Sequence, residues 1–318
     1  MSDLDLIDRL ADGAWHSAAD LGLTAKETEA LHQRLLAGFG LEVRHDPALG
    51  LRLWPPLDLL DSGIVASALD ARGLAPFPVY VHRSIDSTNR WLLDRARRRD
   101  EAPALCLAEH QSAGHGRHGR PWVSPYGRNL YLSLAWRFRA PPAPANALPL
   151  VCAVALAGRL EGLGATEIGL KWPNDLLLDG AKLGGLLLET AANGRLWVIG
   201  LGLNLYLPPA LRSGIGQPVA QLREIPAFAP PVRNALAAEM TLALVSALDS
   251  FVRQGPGPFL ERWARYDILR HRRVRLHHGS EPLEGECLGV APDGALRLAT
   301  PAGERRLFAG EIEACRWQ

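Results

Sequence analysis

The sequence predicts an α+β protein built around a mixed sheet, and three observations carry that reading. Between residues 64 and 268, apolar strand-like runs alternate with amphipathic helices, and several strands follow one another directly through tight turns. Direct succession requires antiparallel pairs, because parallel neighbours need a long crossover. Ahead of that stretch, residues 1–56 read as a small unit of helices followed by two alternating strands. Behind it, residues 270–318 break into short strands separated by Pro292-Asp293-Gly294 and Pro301-Ala302-Gly303, the pattern of a small β-barrel. A chain of 318 residues with 47% hydrophobic content is long enough for two or three such units.

In the first unit, Leu4, Ile7, Leu10 and Ala11 recur at helical spacing, and Gly13 stops that helix. Ser17 to Gly22 predicts a short second helix. Thr24 caps a third, which carries Ala30, Leu31, Leu35 and Leu36 and closes at Gly38 and Gly40. Residues 41–44 and 49–53 alternate like the two strands of a wing. Three helices and a hairpin make the winged-helix pattern, whose usual partner is DNA. The charges oppose that use. The unit holds five basic and nine acidic side chains, and its would-be recognition helix opens Lys26-Glu27-Thr28-Glu29, setting carboxylates against phosphates. A degenerate packing unit is expected, with DNA binding the alternative.

Trp54-Pro55-Pro56 reads as a stiff linker. Beyond it the strand candidates are 79–81, 104–108, 129–133, 186–188 and 196–199, and the helix candidates are 87–99, 147–162, 232–253 and 257–266. The last unit offers strands at 274–276, 285–290, 295–298 and 306–308.

A net charge of +1 gives no argument for a nucleic-acid or membrane coat. The acidic start lacks the basic region and apolar core of a signal peptide. The longest charge-free run, Ala140 to Gly158, is interrupted by Pro141, Pro142, Pro144 and Pro149, so no membrane span is expected. Cys106, Cys152, Cys287 and Cys315 form no close pair, which fits reduced thiols in the cytoplasm.

Three segments of the central region carry chemistry. Glu109 to Trp122 interleaves Gly114, Gly116 and Gly119 with His115, Arg117, His118 and Arg120, a flexible cationic loop suited to an anion such as phosphate. It lacks the Gly-Lys-Ser/Thr ending of a P-loop, and a mobile basic surface loop is the bland alternative. His110, His115 and His118 have no partnering cysteine or carboxylate cluster, so no metal site is expected.

The second segment runs from Lys171 through Trp172-Pro173-Asn174-Asp175 to Lys182-Leu183-Gly184-Gly185, with Asp179-Gly180 marking a two-residue hairpin. That hairpin brings Lys182 back toward Asp175 and Lys171. Of 35 basic residues only Lys26, Lys171 and Lys182 are lysine, so a compact point charge is kept at two of these positions. Structural ion pairing and catalysis are both consistent with it.

The third segment comprises Ser87-Thr88-Asn89, which opens a helix, and Gly200-Leu201-Gly202-Leu203-Asn204, whose glycines would admit a ligand close to the backbone.

In order and spacing, these segments resemble the biotin protein ligases, and the layout is similar to the bifunctional bacterial group that combines ligase and biotin operon repressor. The resemblance implies a class II aminoacyl-tRNA synthetase-like catalytic domain over residues 64–268, a degenerate winged helix over 1–56 and an SH3-like β-barrel over 270–318. It implies an enzyme that activates biotin with ATP and Mg2+ as biotinyl-AMP. The biotin then passes to one lysine of a biotin carboxyl carrier domain of acetyl-CoA carboxylase.

By similarity, Ser87, Thr88, Asn89 and Gln111 would frame the biotin head, and His115, Gly116 and Arg117 would close over the acyl-phosphate. Arg117, Lys182 and Asp175 would carry the chemistry, with Lys182 also touching biotin. Arg120, Trp122, Lys171, Asn174, Gly202 and Asn204 would bind the nucleotide. One departure stands out, since the family loop has arginine where this chain has His115. Family members use a sheet edge for dimerisation and carrier docking, which is expected here by analogy. A lipoate ligase and a biotin-responsive DNA-binding regulator are the alternatives.

Overall fold

The computed structural model describes residues 1–74, 78–99, 102–191, 193–226, 228–229, 231–277 and 282–313. At its start, α1 (Asp3–Leu10) is capped by Ser2, whose hydroxyl accepts the Asp5 N–H while the Asp5 carboxylate takes the Ser2 N–H. The second helix expected at Ser17–Gly22 is only a turn. Leu21 N–H reaches Ser17 O, but Gly22 adopts φ +65° and the next helix begins within three residues, leaving no length for helical repeats. α2 (Ala25–Phe39) carries the predicted Thr24 cap, completed by Glu27, and ends on Gly40 in the left-handed region.

β1 (Val43–Asp46) and β2 (Gly50–Leu53) form the hairpin, and His16 adds one bridge to Leu51. Leu6, Ile7, Leu10, Leu31, Leu35, Leu51 and Leu53 make a separate core that Tyr126 closes from the central region. α3 (Ser62–Asp70) follows the linker. Sequence reading missed it because only Val65 and Leu69 of its nine residues are buried.

The central sheet comprises β3 (Val79–His82), β4 (Ala104–Ala108), β5 (Leu130–Arg137), β6 (Ile168–Lys171), β7 (Asp175–Leu178), β8 (Ala181–Ala191) and β9 (Leu196–Leu203). Its order is β3-β4-β5-β9-β8-β7-β6, with β3–β4 parallel and the other pairs antiparallel, so it is mixed as expected. α4 (Thr88–Arg99) covers one face and α5 (Leu148–Gly162) the other. The pleat explains the division. Alternate residues Ala104 and Cys106 face α4, whereas Leu105 and Leu107 face the larger core.

After the short α6 (Pro209–Arg212), α7 (Arg233–Gln254) and α8 (Gly257–Tyr266) pack with α5. α7 is long and apolar enough to cross a membrane by length and composition, but 61% of its apolar window is buried inside the protein, as befits a core helix.

The C-terminal strands β10 (Arg273–His277), β11 (Pro282–Val290), β12 (Leu296–Thr300), β13 (Gly303–Leu307) and β14 (Glu311–Glu313) form one antiparallel sheet, ordered β13-β12-β11-β10-β14. Sequence reading did not anticipate β14. The sheet docks against the central region near Trp172, whose indole N–H donates to Gly294 O at 3.1 Å. Gly294 sits at φ +86°, and a Cβ there would lie 2.7 Å from Asn146 O, so both turn and close approach require glycine. Cys106, Cys152 and Cys287 are free and buried, and burial pushes the Cys152 and Cys287 thiols up to about 12. They are inert at neutral pH. Cys315 lies outside the described residues.

Candidate active site

A cavity of about 170 Å³ opens where the start of α4, the loop 111–122, the β6–β7–β8 hairpins and β9 converge. One water needs only ~10–15 Å³ by such a measure, so an extended organic ligand fits and not merely an ion. Gly310 and Ile312 of the C-terminal sheet complete its wall. Of the predicted site residues, Ser87, Thr88, Asn89, Gln111, His115, Gly116, Arg117, Arg120, Trp122, Lys171, Asn174, Asp175, Lys182 and Gly202 all line it.

Its neutral end is a closed hydrogen-bond network. Thr88 donates to Gln111 Oε1 from its backbone N–H at 2.9 Å, and its hydroxyl lies 3.0 Å from the same oxygen. Gln111 Nε2 donates to Ser124 Oγ at 3.4 Å. Asn89 Nδ2 donates to Leu187 O and Glu189 Oε2, and Ser133 Oγ lies 2.6 Å from Asn89 Oδ1 and 2.8 Å from Thr88 Oγ1. Sequence reading missed Ser133 and Glu189, and it gave no role to Ser124, which follows the cationic loop. Ser133 did leave a signal, a small polar side chain in the mainly apolar run Leu130–Ala135 of a central strand, where a buried polar group needs partners.

The two β9 glycines line the cavity, and their missing side chains also make room for neighbouring side chains. A Cβ on Gly200 would lie 2.3 Å from Asn89 Oδ1, and one on Gly202 would lie 2.5 Å from the Trp122 indole.

The cationic loop folds back on itself as a flap. Trp122 N–H donates to Gly114 O and Gly116 N–H to Arg120 O, both at 2.8 Å, around a tight turn at Arg117–Gly119. His115 Nδ1 lies 3.2 Å from Ala113 O. His110 stays outside the cavity, 2.9 Å from Ser84 Oγ and edge-on to Phe39, and burial lowers its pKa. No group of three His, Cys, Asp or Glu able to hold a metal occurs among the described residues.

The opposite end is charged. Asp179 and Gly180 both take positive φ, the requirement of the predicted two-residue turn, and the returning strand places Lys182 Nζ 2.9 Å from Asp175 Oδ1. Lys171 pairs with Asp175 in the β6–β7 register, but its ammonium turns to Ile312 O at 2.9 Å. It therefore also ties the C-terminal sheet to the site. Burial lowers the Arg117 pKa, with Asp175 countering and Arg120 adding to that effect. Arg117, Arg120, Lys171 and Lys182 face a single lining carboxylate among the described residues, Asp175. That excess of positive charge suits a polyanionic ligand.

Asn174 lines the cavity and braces it, donating from Nδ2 to Leu186 O at 2.7 Å. Asn204, expected at the nucleotide, is not among the lining residues. It is buried, with Oδ1 near Asn129 Nδ2 and Nδ2 spent on Lys182 O and Ala220 O. Its amide holds the backbone behind Lys182, which explains a polar residue there without a ligand.

Residues 81–205 match the biotin/lipoate A/B protein ligase family. The chain is 38% identical over 315 residues to the bifunctional ligase/repressor BirA of Salmonella typhimurium, covering 97% of this chain and 96% of that protein. It is 32% identical to the biotin--[acetyl-CoA-carboxylase] ligase of Mycobacterium tuberculosis, over 82% of this chain and 97% of the relative. Among solved structures, the biotin protein ligase of Aquifex aeolicus in complex with biotin and ATP superposes with a TM-score of 0.62 at 23% identity, over 74% of this chain and 97% of the other. The fold is thus that of the biotin protein ligases, and with full-length identity at 38% to a ligase/repressor, the chain belongs to the biotin protein ligase family.

Proposed function

We propose that this protein is an ATP-dependent ligase that converts biotin to biotinyl-AMP and transfers the biotin to a lysine of a biotin carboxyl carrier domain. The observation that carries the reading is one cavity with a neutral, hydrogen-bonding end and a cationic end, bridged by a single glycine-rich flap. A ligand with a polar uncharged head and a carboxylate tail fits that polarity.

In the first step a biotin carboxylate oxygen bonds to the α-phosphorus of ATP and pyrophosphate leaves. Two anions must approach, so Arg117 and Lys182 neutralise them, and Arg120 and Lys171 add to the field. In the second step the carrier amine attacks the acyl carbon, and AMP departs. Free lysine has a pKa near ~10.4, so the amine must shed a proton. Asp175 orients it and accepts that proton. The flap keeps water from the anhydride.

The described residues build no protein cage for Mg2+, since Asp175 is the lone lining carboxylate and already pairs with Lys182. Mg2+ would be held mainly by the nucleotide's phosphates and would supply charge neutralisation there. A cytoplasmic location, where ATP and the carrier of acetyl-CoA carboxylase meet, belongs to the reading. So do a homodimer and carrier docking through a sheet edge.

The three sheets support a division into units 1–56, 64–268 and 270–318, the first a degenerate winged helix and the last an SH3-like barrel. The acidic first unit serves packing and not operator binding, and a retarded operator band with biotin and ATP present would overturn that. Biotin-dependent exchange of labelled pyrophosphate into ATP tests the central activity, and its absence with purified protein would refute it.

A further inference from the structure

Apart from the catalytic cavity, a second cleft of about 620 Å³ opens among α5, α7, α8 and the turn after α3. Helical spacing assembles it. Ala155, Gly158 and Arg159 fall on one face of α5, Phe259 and Arg262 stand three apart on α8, and Glu239, Leu242 and Ala243 share a face of α7. None of its lining residues also lines the catalytic cavity.

The lining joins two chemistries. Ala155, Leu242, Ala243, Ala247 and Phe259 are apolar, whereas Arg72, Arg159 and Arg262 bring three guanidiniums to one carboxylate, Glu239. Glu239 is buried and doubly paired. Arg72 Nη2 donates to its Oε1 at 2.8 Å, and Arg159 Nη2 donates to its Oε2. A buried carboxylate needs such partners, so that part is explained by structure alone.

The remaining donors are not. Arg159 Nε is buried and has no hydrogen-bond partner among the described residues. Arg262 is exposed, hydrogen-bonds the Tyr266 hydroxyl and pairs with no carboxylate among the described residues. Gly158 makes room for it, since a Cβ there would lie 2.3 Å from Arg262 Nη2. Glycine inside a helix weakens it relative to alanine, and here the missing side chain lets a guanidinium lie across α5.

We propose that this cleft is a second ligand site, separate from the catalytic cavity, for a small organic carboxylate with an apolar body. Its carboxylate meets the Arg262 fork and the Arg159 Nε–H, and its body covers Phe259 and Leu242. A single negative charge is the match, because two of the three guanidiniums already share Glu239. The apolar lining selects an organic anion over an inorganic one, which would leave that surface wet. The site does not depend on the biotin reading.

The test is calorimetric titration of the full-length protein with 4-phenylbutanoate and with its uncharged isostere 4-phenylbutanamide, each with and without excess biotin. The carboxylate is expected to bind one-to-one with a Kd on the order of 0.1–1 mM, and the amide at least about tenfold more weakly. Excess biotin should leave the carboxylate's Kd unchanged. Arg262→Gln, at an exposed position that does not threaten the fold, should weaken the carboxylate about tenfold. Gly158→Ala should weaken it as well, by displacing Arg262. Four results would each overturn the proposal and leave the arginines as a structural ion cluster. They are no saturable binding of the carboxylate, equal binding of the amide, displacement by biotin, and an unchanged Kd in Arg262→Gln.

Discussion

The two ends of the cavity are built on opposite principles. At the Ser87–Gln111 end, neutral polar atoms bind one another, with Thr88, Asn89, Gln111 and Ser133 locked in one network. At the Lys182 end, four cationic side chains and one carboxylate line the cavity among the described residues, and the flap that carries two of the cations is a loop. On the proposed reading, the first end is ordered beforehand and recognises shape and hydrogen-bond pattern. The second, mostly cationic, gains most when negative charge arrives, which is where charge would develop as the α-phosphate is attacked. The contrast separates binding from chemistry, and substitutions at each end should fail in different ways.

The largest effect is expected at the charged end. Lys182→Ala should slow biotin-dependent pyrophosphate exchange by roughly 10²–10³-fold, the usual cost of losing a transition-state donor, a larger effect than its loss of biotin affinity. Arg117→Gly comes next. It should speed release of biotinyl-AMP by about two orders of magnitude, on the scale of charge-assisted contacts, and spread labelling to nonspecific amines, as streptavidin blots of bystander protein would reveal. Retention of the intermediate at the wild-type rate would blur the division between the two ends.

Gly200→Ala tests the neutral end. The added Cβ meets Asn89 Oδ1 at 2.3 Å, so the amide must move, and KM for biotin should rise about tenfold while kcat holds.

The smallest effect concerns the seam beside the site, where His110 packs against Phe39 of the first unit. Burial lowers the His110 pKa, so its neutral form is the folded one. A base held low contributes stability that is complete above its ordinary value near ~6.5 and fades as pH falls through the lowered value. Thermal melts should therefore lose stability on acidification, and His110→Phe should flatten that dependence. A profile unchanged by the substitution would assign the acid sensitivity elsewhere.

Much of this was legible in the sequence, for physical reasons that differ by element. Thr24 with Glu27, and Asp179-Gly180, are local chemistries that fix local geometry whatever surrounds them, and both stand where expected. Ser17–Gly22 misled because its composition fits a helix but its length does not. α3 was missed because it buries too few side chains to leave a periodic trace, and β14 because three residues are too short a run to show alternation.

In the site, the charged residues could be read from their spacing, since Lys182 and Asp175 are joined by a turn whose geometry is known. What the sequence withholds is which polar atoms the protein spends on itself. Asn204 reads like a ligand contact, yet its amide is consumed by Lys182 O and Ala220 O from segments 22 and 16 residues away in the chain. Gly200 and Gly202 likewise make room for side chains brought from distant segments.

The central claim is that one cavity reads biotin at its neutral end and activates it at its cationic end. Its most direct measurement is transfer of label to a purified carrier domain with ATP, run with biotin and lipoate side by side. The account predicts a single modified carrier lysine with biotin and none with lipoate. Equal modification by lipoate, or no biotinylated carrier at all, would contradict it.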